Sequence, residues 1–106
     1  MIQPGDLVTG YWKGYFRVIS VRNKCEPNPH KVLQNWVYEG DPTAGKIIGF
    51  EVTMIQEFDA KGNKRSSKKP VTCDGSYCKL AKDYLPKVIT DLDRTKNNLL
   101  SILNTL

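Results

Sequence analysis

Ile47-Ile48-Gly49-Phe50-Glu51-Val52-Thr53-Met54-Ile55-Gln56-Glu57-Phe58, followed at once by Asp59-Ala60-Lys61-Gly62-Asn63, decides how this chain is read. Phe50, Val52 and Met54 alternate with Glu51 and Thr53. Successive side chains of a strand point to opposite faces, so this alternation marks a half-buried strand over Lys46 to Phe58. Gly49 predicts a bulge or bend within it. Gly62 and Asn63 both tolerate positive φ, so 59–63 reads as a hairpin turn. Lys64 to Thr72 is then expected to return antiparallel, as a basic strand at a solvent-facing edge.

Upstream, the same period continues. Pro4-Gly5-Asp6 is a turn, and Leu7-Val8-Thr9 a short strand after it. Gly10 and Gly14 bracket Tyr11-Trp12-Lys13, a loop expected to bring two aromatic rings to the surface. Tyr15 to Val21 is rich in the β-branched and aromatic residues that strands prefer. Cys25-Glu26-Pro27-Asn28-Pro29-His30 reads as a loop, because two prolines fix φ and remove donors. Lys31 to Tyr38 reads as another strand, and Glu39 to Gly45 as a loop.

Downstream, the period changes. Leu85, Ile89, Leu92, Leu99, Leu103 and Leu106 fall at steps of three, four or seven, which predicts an amphipathic helix over about 86–104 with Pro86 in its first turn. This stripe either packs on the sheet of its own chain or forms a two-helix seam between protomers, since the spacing serves both.

With 106 residues, 40% hydrophobic and 25% charged, the chain has room for one core. The expectation is a single domain, mainly β (α+β), with residues 1–82 in the β part and 83–106 in the helical part. No apolar run has the length of a membrane span, and Met-Ile-Gln-Pro-Gly-Asp lacks the pattern of a signal peptide, so an intracellular, cytoplasmic protein without a membrane partner is expected. Three cysteines are an odd number and argue against a disulfide framework.

The net charge of +5 is concentrated. Residues 1–60 carry six Lys or Arg against seven Asp or Glu, and residues 83–106 carry three of each. Residues 61–82 carry seven (Lys61, Lys64, Arg65, Lys68, Lys69, Lys79 and Lys82) against Asp74 alone. A block of one sign is a footprint for a polyanion, the competing reading being a solvated loop.

Gly5-Asp6-Leu7-Val8, the aromatic loop Tyr11-Trp12-Lys13-Gly14 and the strand Tyr15 to Val21 together resemble the opening of small SH3-like barrels of the Tudor and KOW type. The likeness covers about residues 5–22. It implies a bent antiparallel barrel that serves as a binding module. In Tudor-like domains an aromatic cage holds a methylated cation through cation–π attraction. Trp12, Tyr15, Trp36 and Tyr38 are the rings available for that part here, the alternative being that they fill the core.

Four ligand-type residues fall in two pairs, Cys25 with His30 and Cys73 with Cys78, each with a four-residue spacer. Two short-range pairs of this kind suit a structural tetrahedral Zn²⁺ site, although a two-residue spacer is the commoner knuckle. The competing reading makes the cysteines small buried apolar groups. Catalysis has little support: His30 lacks an obvious partner to orient it, no Gly-rich phosphate loop is present, and Asp91 and Asp93 face different ways on a helix. The expected function is therefore non-catalytic binding of nucleic acid, DNA or RNA, through the basic hairpin, with Tyr11 and Trp12 adding base stacking. The alternative is a protein-interaction or regulatory subunit docking through the C-terminal helix or the aromatic loop. A monomer is expected, with a homodimer through the helix as the competing state.

Overall fold

The computed structural model describes residues 1–27, 35–89 and 96–106. They form a mainly antiparallel sheet with two helices. The strands are β1 (Leu7–Thr9), β2 (Tyr15–Cys25), β3 (Val37–Tyr38), β4 (Ile47–Phe58), β5 (Val71–Asp74) and β6 (Lys79–Leu80). A single 3₁₀ turn, Gly75–Tyr77, separates β5 from β6, and α1 (Ala81–Ile89) and α2 (Lys96–Asn104) follow. The sheet order is β5-β4-β2-β1-β6, with β3 added to β2. β2 and β4 are the long central pair, running from Tyr15↔Phe58 to Cys25↔Ile47.

Three irregularities interrupt the β2–β4 register, and each has a consequence for packing. β2 bulges at Ile19, between the pairs Val18↔Met54 and Ser20↔Thr53. An extra residue in one strand reverses which face the following side chains take. Phe16 and Val18 point inward before the bulge, and Val21 packs into the same cluster after it, while Ile19 itself is exposed. β4 bulges at Glu57, between Phe16↔Gln56 and Tyr15↔Phe58. This moves Phe58 away from the cluster of Val52 and Met54 and onto the opposite face with Tyr15. The third irregularity falls at Ile48, beside Gly49, where the sequence predicted a bend.

The core consequently has two layers. One holds Val8, Phe16, Val18, Val52, Met54 and Cys73. The other holds Leu7, Tyr15, Ala81, Leu85, Ile89, Leu99 and Ile102, with Phe58 and Val88 packed against it. β1 is buried on both faces: Leu7 enters the helical layer and Val8 the strand layer. The apolar stripe of the C-terminal region thus packs on the sheet of its own chain.

Several expectations change. For the helix predicted over 86–104 the described residues give α1 and α2, and the first starts at Ala81, so Pro86 sits inside α1 rather than in its first turn. Proline there removes the donor for the Lys82 carbonyl, which the exposed side of the helix tolerates because water can replace it. Leu92, Asp91 and Asp93 lie outside the described residues, as do residues 31–34 of the expected strand, of which Val37–Tyr38 is observed. The return of the hairpin is not one strand. A bridge joins Phe58 to Lys64, and regular pairing resumes only at Val71↔Met54. At its tip Gly62 takes positive φ (82°), and Asn63 does not. Cys25, expected in a loop, ends β2, and Cys73 stands in β5. No described helix is long and apolar enough to cross a membrane.

Candidate nucleic-acid interface

The loop between β1 and β2 is pinned from below. Gly14 takes φ 111°, and a Cβ there would lie 2.4 Å from Gln56 Nε2 and 2.6 Å from the Phe58 carbonyl oxygen. Only a residue without a side chain allows this approach with this backbone. The Gln56 amide donates to the carbonyls of Phe58 (3.1 Å) and Lys13 (3.4 Å), tying the loop to β4. With the backbone held against the sheet, the side chains between Gly10 and Gly14 turn outward. Tyr11 is 70% and Trp12 43% exposed, as the sequence predicted.

The 3₁₀ turn presents a third ring beside them. The Asp74 carboxylate accepts from the Ser76 N–H (2.9 Å), and the Cys78 N–H donates to the Gly75 carbonyl (3.1 Å), closing the turn at both ends. Gly75 faces the Phe50 ring so closely that a Cβ would sit 2.3 Å from it. The turn is therefore packed down at Gly75 and directs Tyr77 to solvent, 56% exposed. Tyr11 lies between its neighbours, with edge contacts to Trp12 (centroids 5.6 Å, 85°) and Tyr77 (5.5 Å, 78°). Trp12 in turn leans on buried Phe16 (6.4 Å), which anchors the group to the core. α1 adds Tyr84 and Val88, and β6 adds Lys79 opposite Thr9. These residues, with Lys13 and Ala60, line a groove of about 480 Å³. Among the described residues its lining includes two lysines and no carboxylate. Burial, and then the neighbouring Tyr84, raise the pKa of the Tyr15 hydroxyl at its floor.

Ala60 carries the groove into the β4–β5 connection. Asp59 accepts from the N–H groups of Lys61 and Asn63 (both 2.9 Å), which holds its carboxyl below the usual range, the Asn63 contact being the largest cause. The Asn98 amide of α2 donates to the Lys61 carbonyl and to Asn63 Oδ1 (both 3.3 Å). The tip of the hairpin is thus docked on α2. Lys61, Lys64, Arg65, Lys68 and Lys69 are all exposed, as are Lys79 and Lys82. The ion pairs of the described residues, Arg17–Glu57 and Lys24–Asp74, use none of these seven. The block is not a single face. Lys79 lines the groove, Lys61 follows Ala60 at its rim, and Lys82 lines a separate hollow with Arg17 and Leu106.

Among the described residues, the members of the other predicted constellations stand apart. Tyr15 is buried and Trp12 stands with Tyr11, so the four cage rings do not converge. Trp36 and Tyr38 form their own pair (4.7 Å), where Arg22 lies 3.3 Å over the Tyr38 ring and Lys24 5.2 Å from that of Trp36. The chain's own cations already occupy those rings. Cys73 is level with Val52 of β4, whose β2 partner Val21 is four residues from Cys25, a separation of about 13 Å along the strand at the usual rise. Zinc ligands must all lie within about 2.3 Å of one ion, so the described strands do not bring Cys25 to the Cys73–Cys78 pair, and His30 lies outside the described residues. No group of three or more possible metal ligands is present among the described residues. Burial, then Cys73, push the Cys78 thiol up to about 12.

The sequence reading singled out Tyr11 and Trp12 but missed Lys13, Tyr77 and Tyr84. Asp74-Gly75-Ser76 before Tyr77 signalled a turn with an exposed ring after it; nothing local placed it beside residue 11. Comparisons with known protein families, with curated proteins and with solved structures find no match to this chain.

Proposed function

We propose that this chain is a non-catalytic nucleic-acid-binding module built as a small SH3-like barrel. Support for the barrel is the connectivity: the first strand pairs with both its successor and the last strand, a 3₁₀ turn precedes that last strand, and bulges bend the long β2–β4 pair. The observation that carries the function is the basic β4–β5 connection. Its five cations are exposed and outside the ion pairs of the described residues; Asp59 and Asn98 fix the backbone at the tip around Lys61, and the Arg65 N–H donates to the Glu57 carbonyl (2.8 Å). Such an array favours phosphate contacts that release counterions, giving salt-dependent affinity with little sequence preference. The competing use of the helix stripe has less to offer, because Leu99 and Ile102 are spent in the chain's own core.

The test is a gel shift with mixed-sequence oligonucleotides at low salt, comparing the natural chain with a variant in which Lys64, Arg65, Lys68 and Lys69 are all glutamate. Binding should weaken steeply with salt, by a log–log slope of about 0.7 (single strand) to 0.9 (duplex) per phosphate neutralised, and the variant should lose it while keeping its circular dichroism. No binding at low salt, or equal binding by the variant, overturns the reading.

A further inference from the structure

We infer that the nucleic acid bound is single-stranded, and that the groove of Tyr11, Trp12, Tyr77 and Tyr84 is the site where its bases stack, with Lys13 and Lys79 on its phosphates. This rests on the nucleic-acid reading above and adds the class of strand and the residues that choose it.

Three observations combine. First, the rings are large, exposed and fixed. Tyr11 and Tyr77 show 70% and 56% of their surface, yet their backbones are pinned by Gly14 and by the capped 3₁₀ turn. Preset rings lose little conformational freedom when a flat partner lands on them. Second, the rings meet edge to face, not by parallel stacking. Such a contact covers one face of one ring in each pair and leaves other ring faces for a flat partner, which a nucleobase is. In a duplex the base faces are already stacked on their neighbours, so only an unpaired strand can offer them. Third, the charged members of the described lining are Lys13 and Lys79. A proline-rich peptide also fits aromatic grooves, but it brings no charge of its own for these two cations to meet. A strand with a phosphate between successive bases supplies both the flat rings and the anions. The groove runs past Ala60 into the basic connection, so the backbone of a strand lying in it continues toward Lys61.

The experiment uses the full chain with Trp36→Phe, which leaves Trp12 as its tryptophan and changes nothing in the groove. Trp12 emission is followed while a thymidine homopolymer of about 12 nucleotides, a blunt duplex of the same length, or a proline-rich peptide is added. Trp12 should be quenched by the single strand and not by the duplex. Tyr11→Ala and Tyr77→Ala should each weaken single-strand affinity by about 5- to 150-fold, the range measured for loss of one stacking ring, and Tyr77→Phe should retain it. Because the alanine variants change exposed rings, their circular dichroism is expected to match the parent; if one does not, quenching of the parent by strand against duplex decides alone. Equal binding of duplex and strand with Trp12 emission unchanged overturns this inference but leaves the basic connection as a phosphate site. Quenching by the peptide, with neither nucleic acid bound at low salt, overturns both.

Discussion

Consider Gly14→Ala with Gly5→Ala as its control. Both glycines hold positive φ, 111° and 91°, so both substitutions carry the same kind of backbone strain, about 1–3 kcal/mol for a residue with a Cβ. They differ in space. A Cβ at Gly5 meets nothing within 4 Å, whereas at Gly14 it would lie 2.6 Å from the Phe58 carbonyl oxygen and 2.4 Å from the Gln56 amide. The amide can swing away at the loss of its two hydrogen bonds, but Phe58 is paired to Tyr15 in the central ladder and its carbonyl cannot. Forcing a methyl into such a contact costs a further 1–3 kcal/mol or so. Gly14→Ala should therefore be less stable than Gly5→Ala by about that amount, on a domain of this size with about 5–15 kcal/mol to lose. Urea unfolding followed by tryptophan emission reads this directly: with a slope near 1–3 kcal/mol per molar, the Gly14 variant's midpoint should fall about 1 M below that of the Gly5 variant at unchanged slope. Equal midpoints would mean that the loop is not pressed against β4, and the preset geometry of Tyr11 and Trp12 would lose its basis.

Three further outcomes are expected. Leu99→Ala empties a wholly buried site in the helical layer and should cost about 2–5 kcal/mol in thermal unfolding; a cost below 1 kcal/mol or so would show that α2 does not belong to the core. Asp74, paired to Lys24 and capping the 3₁₀ turn, has its carboxyl lowered from 3.8 to about 2. A lowered folded-state pKa gives stability that is present above the unfolded value and lost as pH falls through the folded one. The gap in urea midpoint between the natural chain and Asp74→Asn should then be constant above about pH 5 and close between about pH 4 and 2; a gap that persists at pH 2 refutes the assignment. Burial and the neighbouring Cys73 push the Cys78 thiol up and hold it neutral, so native alkylation by iodoacetamide at about pH 8 should be markedly slower than in denaturant. Rapid native labelling at Cys78 would show that the thiol is not held neutral by burial.

The central β-structure was legible because alternation and turn chemistry are local. Phe50, Val52 and Met54 marked β4, and Gly14 and Gly62 marked the loops, because each signal lies within a few residues of the feature it causes. The bulges were not legible. Val18, Ile19 and Val21 read as a plain apolar run, and only pairing with Met54 and Thr53 shows that Ile19 is the extra residue left exposed. The start of the helix was misplaced for a related reason. Pro86 is a helix-start signal by propensity, yet Ala81 and Leu85 bury completely against the sheet, and that burial outweighs one lost hydrogen bond. At the site, the exposure of Tyr11 followed from its flanking glycines, whereas its meeting with Tyr77 depends on a pairing between opposite ends of the sheet sequence.

That pairing is the link between the core and the groove. β1 and β6 meet through two residue pairs, Val8↔Leu80 and Thr9↔Lys79, and a ladder so short contributes little alone. It persists because β1 is anchored from both sides: Val8 is wholly buried in the strand layer and Leu7 nearly so in the helical layer. Lys79 enters the groove directly from this ladder, the 3₁₀ turn with Tyr77 immediately precedes it, and α1 with Tyr84 immediately follows. The helices therefore do more than cover one face of the sheet. By burying Leu7 they hold the strand whose partner sets the far wall of the groove, which places the integrity of an exposed aromatic surface under the control of buried core residues such as Leu85 and Leu99.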